Sequence, residues 1–416
     1  MAIINHTLSV DSPIEFPGIA VHRLQDHRML VIAPEIPTWL ALSPDEYSLF
    51  EQLLTSNTLG EVLIDRDTNS IQNLLGQFYT AGFFGSRRST KHHRYVQFHV
   101  TNRCNLRCRH CYLDSGILKV DEMSFSQWCD IVDVLANDAS DLFLSISGGE
   151  PLLQPYVPDL IRYARDRGVP EVAMISNGLL LTPELVDTLE NSGLTNIALS
   201  LDGATRSVND NVRGKGVFES VLKAFDLLAG TKIRVNLNIT VMKMNQNDLE
   251  QNMGDLIARL PSNVDVSFGQ FVPEGRGLRY MDELNLGYQS TTTTIANLGH
   301  SLSDTRFPIS PTLHRSCGYG DSLVIYSNGD IAPCITPQFK RGNVLSDGMP
   351  ALQRILTEAV SAQVDRLPMC RVCDLRYICG GKCHQHQIAK FGRALQNTCS
   401  ESYRNGFYEA LAAGSR

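Results

Sequence analysis

The chain has 416 residues, of which 43% are hydrophobic, and a formal net charge of −7. That length is enough for two or three domains, and the negative charge argues against binding of a nucleic-acid backbone as the main task. No run of roughly 18 apolar residues indicates a membrane span, and the first residues lack the layout of a signal peptide. We therefore predict a cytoplasmic protein with no nucleic-acid or membrane partner, where clustered cysteines are metal ligands or catalysts more often than disulfides.

Residues 1–92 form the first predicted domain. The β-type runs in it are residues 19–23, 29–33 and 38–42. Ser43 and Glu46 then make a capping box in front of an apolar-periodic helix. Helices near 59–64 and at 70–81 follow, and a glycine directly after the last one ends it. Three strands with three helices predict a winged-helix-like domain, and acidic residues around the middle helix argue against DNA binding.

Residues 93–304 form the second predicted domain, in which β-type and α-type patterns alternate. The predicted strands are residues 95–100, 141–147, 171–176, 196–201, 232–241 and 264–271. The predicted helices are residues 124–137, 158–167, 182–192, 217–229 and 248–260. Such alternation implies parallel pairing with right-handed crossovers, so we predict an α/β fold built on a partial (β/α)6 TIM-type barrel. In such barrels the chemistry lies at the carboxyl ends of the strands.

Three cysteines follow the first barrel strand as C-x3-C-x2-C: Cys104, Cys108 and Cys111. Zinc sites usually pair cysteines as C-x2-C or use histidine, and no second pair lies nearby in the sequence. Iron–sulfur cubes are normally closed by four cysteines. Three thiolates therefore predict a 4Fe–4S cluster with one iron left open for a substrate or cofactor.

The triplet resembles that of the radical S-adenosylmethionine (SAM) enzymes, in which the open iron chelates the amino acid end of SAM. Asn102 and Tyr112 match the habit of that family. His110 departs from it, because the family prefers an aromatic residue before the third cysteine, although a planar imidazole can pack in the same place. The resemblance implies reductive cleavage of SAM to a 5′-deoxyadenosyl radical.

The resemblance also implies a set of SAM-binding residues at the strand ends. Gly148, Gly149, Glu150 and Pro151 match the GGEP motif, whose backbone receives the SAM amino group, and glycine permits such close backbone approach. Arg213 matches the arginine that pairs with the SAM carboxylate, a task that suits the bidentate guanidinium. The remaining implied contacts, on the ribose side or beside the triplet, are Tyr112, Ser176, Asn177, Ser200 and Asp202.

Residues 305–416 form the third predicted domain and hold seven of the remaining eight cysteines. Their order and spacing resemble the seven-cysteine SPASM domain of radical SAM peptide maturases, and a zinc ribbon is the alternative. The resemblance implies two auxiliary iron–sulfur clusters. The distal cluster would be closed by Cys370, Cys373, Cys379 and Cys399. The proximal cluster would be held by Cys317, Cys334 and Cys383.

The proximal set lacks a fourth cysteine, because residues 306–316 contain none. His314 lies close enough in sequence to substitute; otherwise one iron is open to a substrate thiolate or amide. Cys129, beside Trp128 on an apolar helix, is predicted to be a core residue.

The pattern of residues 1–92 resembles the RiPP recognition element, a domain that binds the leader of a precursor peptide by adding a strand to a sheet edge. The alternative is a structural cap on the barrel. Together the three resemblances imply a radical SAM oxidoreductase that abstracts hydrogen from a ribosomal precursor peptide. The product would be an intramolecular crosslink: a thioether first, or a carbon–carbon or carbon–oxygen cyclophane. A flavodoxin or ferredoxin would be the reductant.

Other functions stay open at this stage. One is a peptide epimerase. Another is a sulfatase-type protein maturase, although that family carries an Asp after the proximal cysteine where this chain has Ile335. A third is a non-enzymatic iron–sulfur electron carrier, against which the intact triplet and SAM motifs argue. The sequence names no general base.

Overall fold

The computed structural model describes residues 15–56, 68–84, 94–116, 121–136, 140–287, 322–335, 340–352, 363–381 and 399–413, with single residues between 288 and 298 and at 354–355. The chain divides into two compact units. The first comprises Met1–Thr90, Ser310–Cys317 and Gln363–Arg416; the second comprises Lys91–Ile309 and Gly318–Ala362. The sequence-based division into three domains stays a prediction.

The first unit contains a three-stranded antiparallel sheet in the order β1-β2-β3. Its strands are β1 (Ala20–Arg23), β2 (Met29–Ala33) and β3 (Thr38–Leu42). Its helices are α1 (Pro44–Thr55), α2 (Thr68–Ala81), α10 (Arg376–Cys379) and α11 (Glu401–Ala413). The predicted capping box is confirmed, since the Ser43 and Glu46 side chains each bond the other's backbone N–H. The helix predicted near 59–64 lies outside the described residues.

Both faces of this small sheet are buried. Side chains of a strand alternate between the faces, and in β2 Val31 packs with Phe50 and Phe78 of α1 and α2. Ile32 points the other way and packs with Leu411 of α11. The sheet therefore belongs to two cores, one of which it shares with the C-terminal cysteine segment.

The second unit is a nine-stranded sheet in the order β12-β11-β10-β4-β5-β6-β7-β8-β9. Strands β4 to β9 are parallel and follow chain order, as predicted, and β10 adds to β4 in parallel. The strands are β4 (Arg94–Thr101), β5 (Leu142–Gly148), β6 (Glu171–Ser176), β7 (Asn196–Ser200), β8 (Arg234–Val241), β9 (Val264–Gln270), β10 (Ser322–Tyr326), β11 (Asp330–Ala332) and β12 (Gly342–Asn343).

The helices of this unit lie between the strands. They are α3 (Phe125–Ala136), α4 (Val157–Asp166), α5 (Pro183–Asn191), α6 (Arg206–Arg213), α7 (Val217–Leu228), α8 (Gln246–Arg259) and α9 (Met281–Leu284). One face of the sheet packs on them: the ring of Phe98 of β4 packs at a tilt against Trp128 of α3, with ring centroids 4.7 Å apart. Cys129 is buried in the same core, as predicted. The other face carries polar side chains such as Gln97 and His99, both buried.

Among the described residues, no helix is both long enough and apolar enough to cross a bilayer.

Candidate functional site

The three cysteines of the triplet lie in the loop that leaves the carboxyl end of β4. Burial raises the pKa of the Cys108 thiol to about 11, and the nearby Cys111 and Cys104 thiols add to the shift. The backbone N–H of Leu106 donates to Cys104 Sγ and that of Ser115 to Cys111 Sγ, each at 3.4 Å. Thiols brought together in this way need a metal to become thiolates, and a coordinating metal deprotonates them outright.

No three His, Cys, Asp or Glu side chains in the described ranges are arranged around a single metal ion. An iron–sulfur cube differs from such a site, because each cysteine binds a different iron. The donor set is consistent with a cluster: three neighbouring thiols, half-buried, with backbone amides directed at two of their sulfurs.

Arg276 fastens the cysteine loop and was missed by the sequence analysis. Its Nη1 donates to the carbonyl of Cys108 at 3.0 Å, its Nη2 donates to the carbonyl of Ser115, and its Nε lies 3.1 Å from Asp114 Oδ1. Its backbone N–H also donates to the Cys111 carbonyl at 2.9 Å. A buried guanidinium after β9 thus fixes the far side of a loop that begins after β4.

A glycine makes this approach possible. Gly275 has φ +55°, and a Cβ there would come within 2.3 Å of the Tyr112 carbonyl oxygen. The Gly275-Arg276-Gly277 run shortly after β9 was the available sequence signal, since glycine permits close backbone contact.

Glu122 is a second residue that the sequence analysis missed. Its carboxylate accepts the N–H of Asn102 at 2.6 Å, the hydroxyl of Thr101 at 2.8 Å and the side-chain amide of Gln154 at 2.9 Å. It therefore ties the end of β4 to the segment that follows the GGEP motif.

The two glycines of the GGEP motif are required by the neighbouring backbone. A Cβ on Gly148 would lie 2.3 Å from the Thr101 carbonyl, and one on Gly149 would lie 2.0 Å from the Arg103 carbonyl. The Gly149 N–H donates to the Thr101 carbonyl at 2.7 Å. The motif and the start of the cysteine loop thus lie in direct contact, with Pro151 buried in the short helical turn that follows.

Glu150 connects the ends of β5 and β6. It is fully buried, and its carboxylate accepts the Ser176 hydroxyl and the Asn177 N–H, each at 2.8 Å. Burial raises the pKa of Glu150 although these hydrogen bonds oppose the shift. The Asn177 side chain in turn donates to Asn105 of the cysteine loop at 2.7 Å. The structure therefore brings Ser176 and Asn177 together with the triplet, while Ser200 lies half-buried at the end of β7.

Asp202 and Arg213 form an ion pair with His110 beside them. Asp202 Oδ2 lies 2.7 Å from Arg213 Nε and 3.3 Å from His110 Nε2. Burial acts to raise the pKa of Asp202, but Arg213 and His110 outweigh it and hold that pKa below its usual value. His110 therefore does more than stand in for an aromatic ring, a role that the sequence analysis did not foresee.

Tyr112 lies on the polar face of the sheet beside β4. Its hydroxyl is 3.4 Å from His99 Nε2, and the His99 ring meets the Tyr326 ring edge-on at 4.9 Å. Burial lowers the pKa of His99 to about 3, so the imidazole is neutral. Cys334, just after β11, is near enough to Tyr112 and Tyr326 to act on their hydroxyls electrostatically.

The four cysteines predicted for the distal cluster lie near one another within the first unit. Burial raises the pKa of Cys370 to about 12, and Cys399, Cys379 and Cys373 all add to the shift. The other predicted members of the C-terminal set, Cys317 and Cys383, lie outside the described residues, as does His314.

The fold and the cysteine loop together define an α/β enzyme that carries a metal cluster at the carboxyl edge of a parallel sheet. The sequence pattern of the Radical SAM superfamily matches residues 98–256. Mycofactocin maturase MftC of Mycolicibacterium smegmatis is 30% identical over 270 residues, which are 61% of this chain and 68% of MftC. The chain belongs to the radical SAM superfamily, whose members bind a 4Fe–4S cluster and SAM.

Two further comparisons show how much membership of the superfamily says about fold and substrate. Fe-coproporphyrin III synthase of Methanosarcina barkeri is 34% identical over 192 residues, which are 45% of this chain and 46% of that relative. Streptococcus suis SuiB bound to precursor peptide SuiA has a TM-score of 0.54 at 15% identity, and covers 92% of this chain and 96% of SuiB. The second likeness supports the mixed α/β fold with its parallel sheet. Because relatives with different products share the barrel, the barrel alone does not fix the substrate.

Proposed function

We propose that this chain is a radical SAM peptide maturase that binds the leader of a ribosomal precursor peptide and installs an intramolecular crosslink in it. The observation that carries the proposal is the small three-stranded sheet of the first unit, because it offers strand edges to which a peptide strand can be added. Within the described residues each outer strand of that sheet, β1 and β3, pairs with one neighbour only. Unpaired strand edges are templates for an added peptide strand.

The fold of the first unit supports a winged-helix-like leader-binding domain. The three strands are followed by α1 and α2, and Phe16, Phe50 and Phe78 pack their rings together between them. The structure of SuiB with its bound precursor peptide SuiA covers 92% of this chain, so the likeness is not confined to the barrel.

The C-terminal cysteines support a SPASM-type domain with two auxiliary clusters. The distal cluster would use the four cysteines that lie near one another in the first unit. The proximal cluster would use Cys334 with Cys317 and Cys383, which leaves one iron open to a substrate thiolate unless His314 closes it. A thiolate is a good iron ligand, which favours a thioether over the cyclophanes.

When bound, the barrel cluster and SAM supply a 5′-deoxyadenosyl radical, at the expense of one electron from a flavodoxin or ferredoxin. The residues of the chain orient the cofactor and exclude water. Arg213 would offer its guanidinium to the SAM carboxylate, and Gln97 and His99 lie buried on the polar face of the sheet.

The proposed crosslinking reaction is a two-electron oxidation of the peptide. The peptide carbon would give one hydrogen atom to the 5′-deoxyadenosyl radical, which becomes 5′-deoxyadenosine. A neighbouring thiol, carbon or hydroxyl of the peptide would then bond to that carbon and release a proton. The electron left over passes to an auxiliary cluster. Each crosslink therefore removes two hydrogens from the peptide and consumes one SAM.

The test uses the full chain, reconstituted with iron and sulfide and reduced with dithionite, together with SAM and the short precursor encoded beside its gene. We expect 5′-deoxyadenosine and a peptide lighter by two hydrogens, with a cysteine that no longer reacts with iodoacetamide if the bond is a thioether. A peptide whose mass is unchanged in ordinary water but rises by one deuterium in heavy water would make the protein an epimerase. Formation of 5′-deoxyadenosine with no change in any precursor would refute a peptide maturase.

A further inference from the structure

Asp202 has no exposed surface with which to meet a ribose. Its residue is 0% exposed. Its Oδ1 accepts the Thr240 N–H at 2.8 Å, and its Oδ2 lies against Arg213 and His110. Both carboxylate oxygens are thus occupied by protein groups, although the motif that contains Asp202 was expected to contact the SAM ribose.

The position of Asp202 is fixed by three elements. Its backbone N–H donates to the Asn209 side chain of α6 at 2.9 Å, and its carbonyl accepts the Asn245 side chain at 2.9 Å. A Cβ on the next residue, Gly203, would lie 2.4 Å from the Asn209 nitrogen. The carboxylate therefore cannot move far without disturbing β7, α6 and the start of α8.

Arg213 ends α6 and presents its guanidinium to the cysteine loop. Its side chain is 9% exposed, its Nε faces Asp202, and its charge interacts with the Cys108 and Cys104 thiols. Within the described part of the chain, Asp202 is the one carboxylate paired with this guanidinium. No hydrogen bond or ion pair from another described residue engages the two terminal nitrogens of the guanidinium, and their planar geometry matches a carboxylate.

His110 brings the cysteine loop to the same carboxylate. It lies between Cys108 and Cys111, and its Nε2 is 3.3 Å from Asp202 Oδ2. The backbone adds a second link, because the N–H of Arg109 donates to the carbonyl of Val212, the residue before Arg213, at 2.9 Å. The cysteine loop and the C-terminal end of α6, which carries Arg213, are thus in direct contact.

We propose that Asp202 and His110 are positioning residues that aim the terminal nitrogens of Arg213 at the SAM carboxylate. Asp202 sets the guanidinium plane, and His110 fixes Asp202 relative to the cluster loop. The position of the carboxylate-binding arginine relative to the cysteine loop is then set by this buried carboxylate together with the Arg109–Val212 backbone hydrogen bond. This inference does not depend on which peptide is modified.

The test compares two ligands, SAM and decarboxylated SAM, by equilibrium dialysis on cluster-loaded protein. The ratio of the two affinities measures how much the SAM carboxylate contributes to binding. The part of that contribution made by the iron is the same in all variants, whereas the part made by Arg213 changes. In Asp202→Asn the preference for SAM should fall about tenfold, the value of one charge-assisted hydrogen bond, with the affinity for the decarboxylated ligand retained. His110→Phe, which restores the aromatic of the family, should lower the preference about threefold, since it removes a weaker contact.

Asp248→Asn is the matched control. Asp248 also fixes the turn after β7, by accepting the N–H groups of Ala204 at 2.7 Å and Thr205 at 3.1 Å, but it does not touch Arg213. The Asp248→Asn substitution should weaken the binding of both ligands equally, or of neither. If Asp202→Asn behaves like this control, or if neither Asp202→Asn nor His110→Phe changes the preference, the positioning role is wrong. Should Asp202→Asn lose its cluster, His110→Phe alone decides.

Discussion

Replacing Arg276 with Met should open the cysteine loop. Methionine keeps the apolar stem of the side chain but removes the donors that bind the carbonyls of Cys108 and Ser115 and the cation that faces Asp114. Removing one partner of a buried ion pair costs about 3–5 kcal/mol. We take about 3 kcal/mol, because the Asp114 side chain is 20% exposed and water can partly replace the lost cation.

Hydrogen–deuterium exchange of the cluster-free protein measures this locally, since exchange reports the free energy of local opening. A loss of about 3 kcal/mol corresponds to about a hundredfold. The amides of Cys111, Ser115 and Gly116, which bond within the loop or to Asn102, should exchange about a hundredfold faster. Iron retained after reconstitution should fall in parallel.

Arg279→Met provides the control. Arg279 lies 3.4 Å from the same Asp114, but its side chain is 65% exposed, and surface pairs contribute about 0–1 kcal/mol. In this variant the exchange rates of the loop amides should stay within about threefold of the wild-type rates. Equal exchange rates in the Arg276 and Arg279 variants would refute the view that Arg276 fastens the loop.

Three more predictions concern the cysteine triplet and the start of helix α1. Replacing all three cysteines of the triplet with Ala should abolish 5′-deoxyadenosine formation yet leave part of the iron, because other cysteines lie together in the first unit; unchanged iron with continued product would contradict the assignment. Ser43→Ala should destabilise α1 by about 1 kcal/mol, the usual value of an N-cap, seen as faster amide exchange in that helix. Burial acts to raise the pKa of Glu46, but hydrogen bonds from Gln77 and Ser43 outweigh it and hold that pKa below its usual value. The contribution of Glu46 to stability is therefore present at neutral pH and is lost as the pH falls through this lowered pKa. Glu46→Gln should therefore reduce the loss of stability at acidic pH. An unaltered loss in this variant would show that another group causes it.

The barrel was predictable because its signals are local. Each strand shows a β-type run that ends in a polar or glycine motif, and β6 (Glu171–Ser176) has the bounds that the sequence predicted. The N-cap at Thr182, followed by Pro183, is also as expected, with the Thr182 hydroxyl accepting the Leu185 N–H. Such features depend on neighbours within a few residues.

The remaining features depend on pairs that are distant in sequence. Arg276 and Ser115 are 161 residues apart, and no short pattern predicts their contact. Asp202 was assigned to the ribose side from its motif, and only the packing of α6 and β8 around it explains its burial. The addition of β10 to β4 likewise joins residues near 324 to residues near 97, which the order of elements alone does not specify.

The shared core of the first unit limits how its parts can be separated. Leu30 and Ile32 of β2 pack with Leu411 and Tyr408 of α11, and Trp39 donates its indole N–H to the Leu411 carbonyl at 3.1 Å. His22 of β1 pairs with Asp374, the neighbour of Cys373. Removing residues 1–92 would therefore uncover apolar side chains worth about 1.5–3 kcal/mol each around the distal cysteines.

A truncated enzyme would lose activity whether or not the sheet recognises a leader. Truncation therefore cannot test whether the sheet binds a leader. The same coupling bears on recombination between homologues. An exchange of the N-terminal sheet alone would place foreign strands against the resident helix α11 and against Asp374 and Leu375. A productive chimera must therefore transfer residues 363–381 and 399–413 together with residues 15–56.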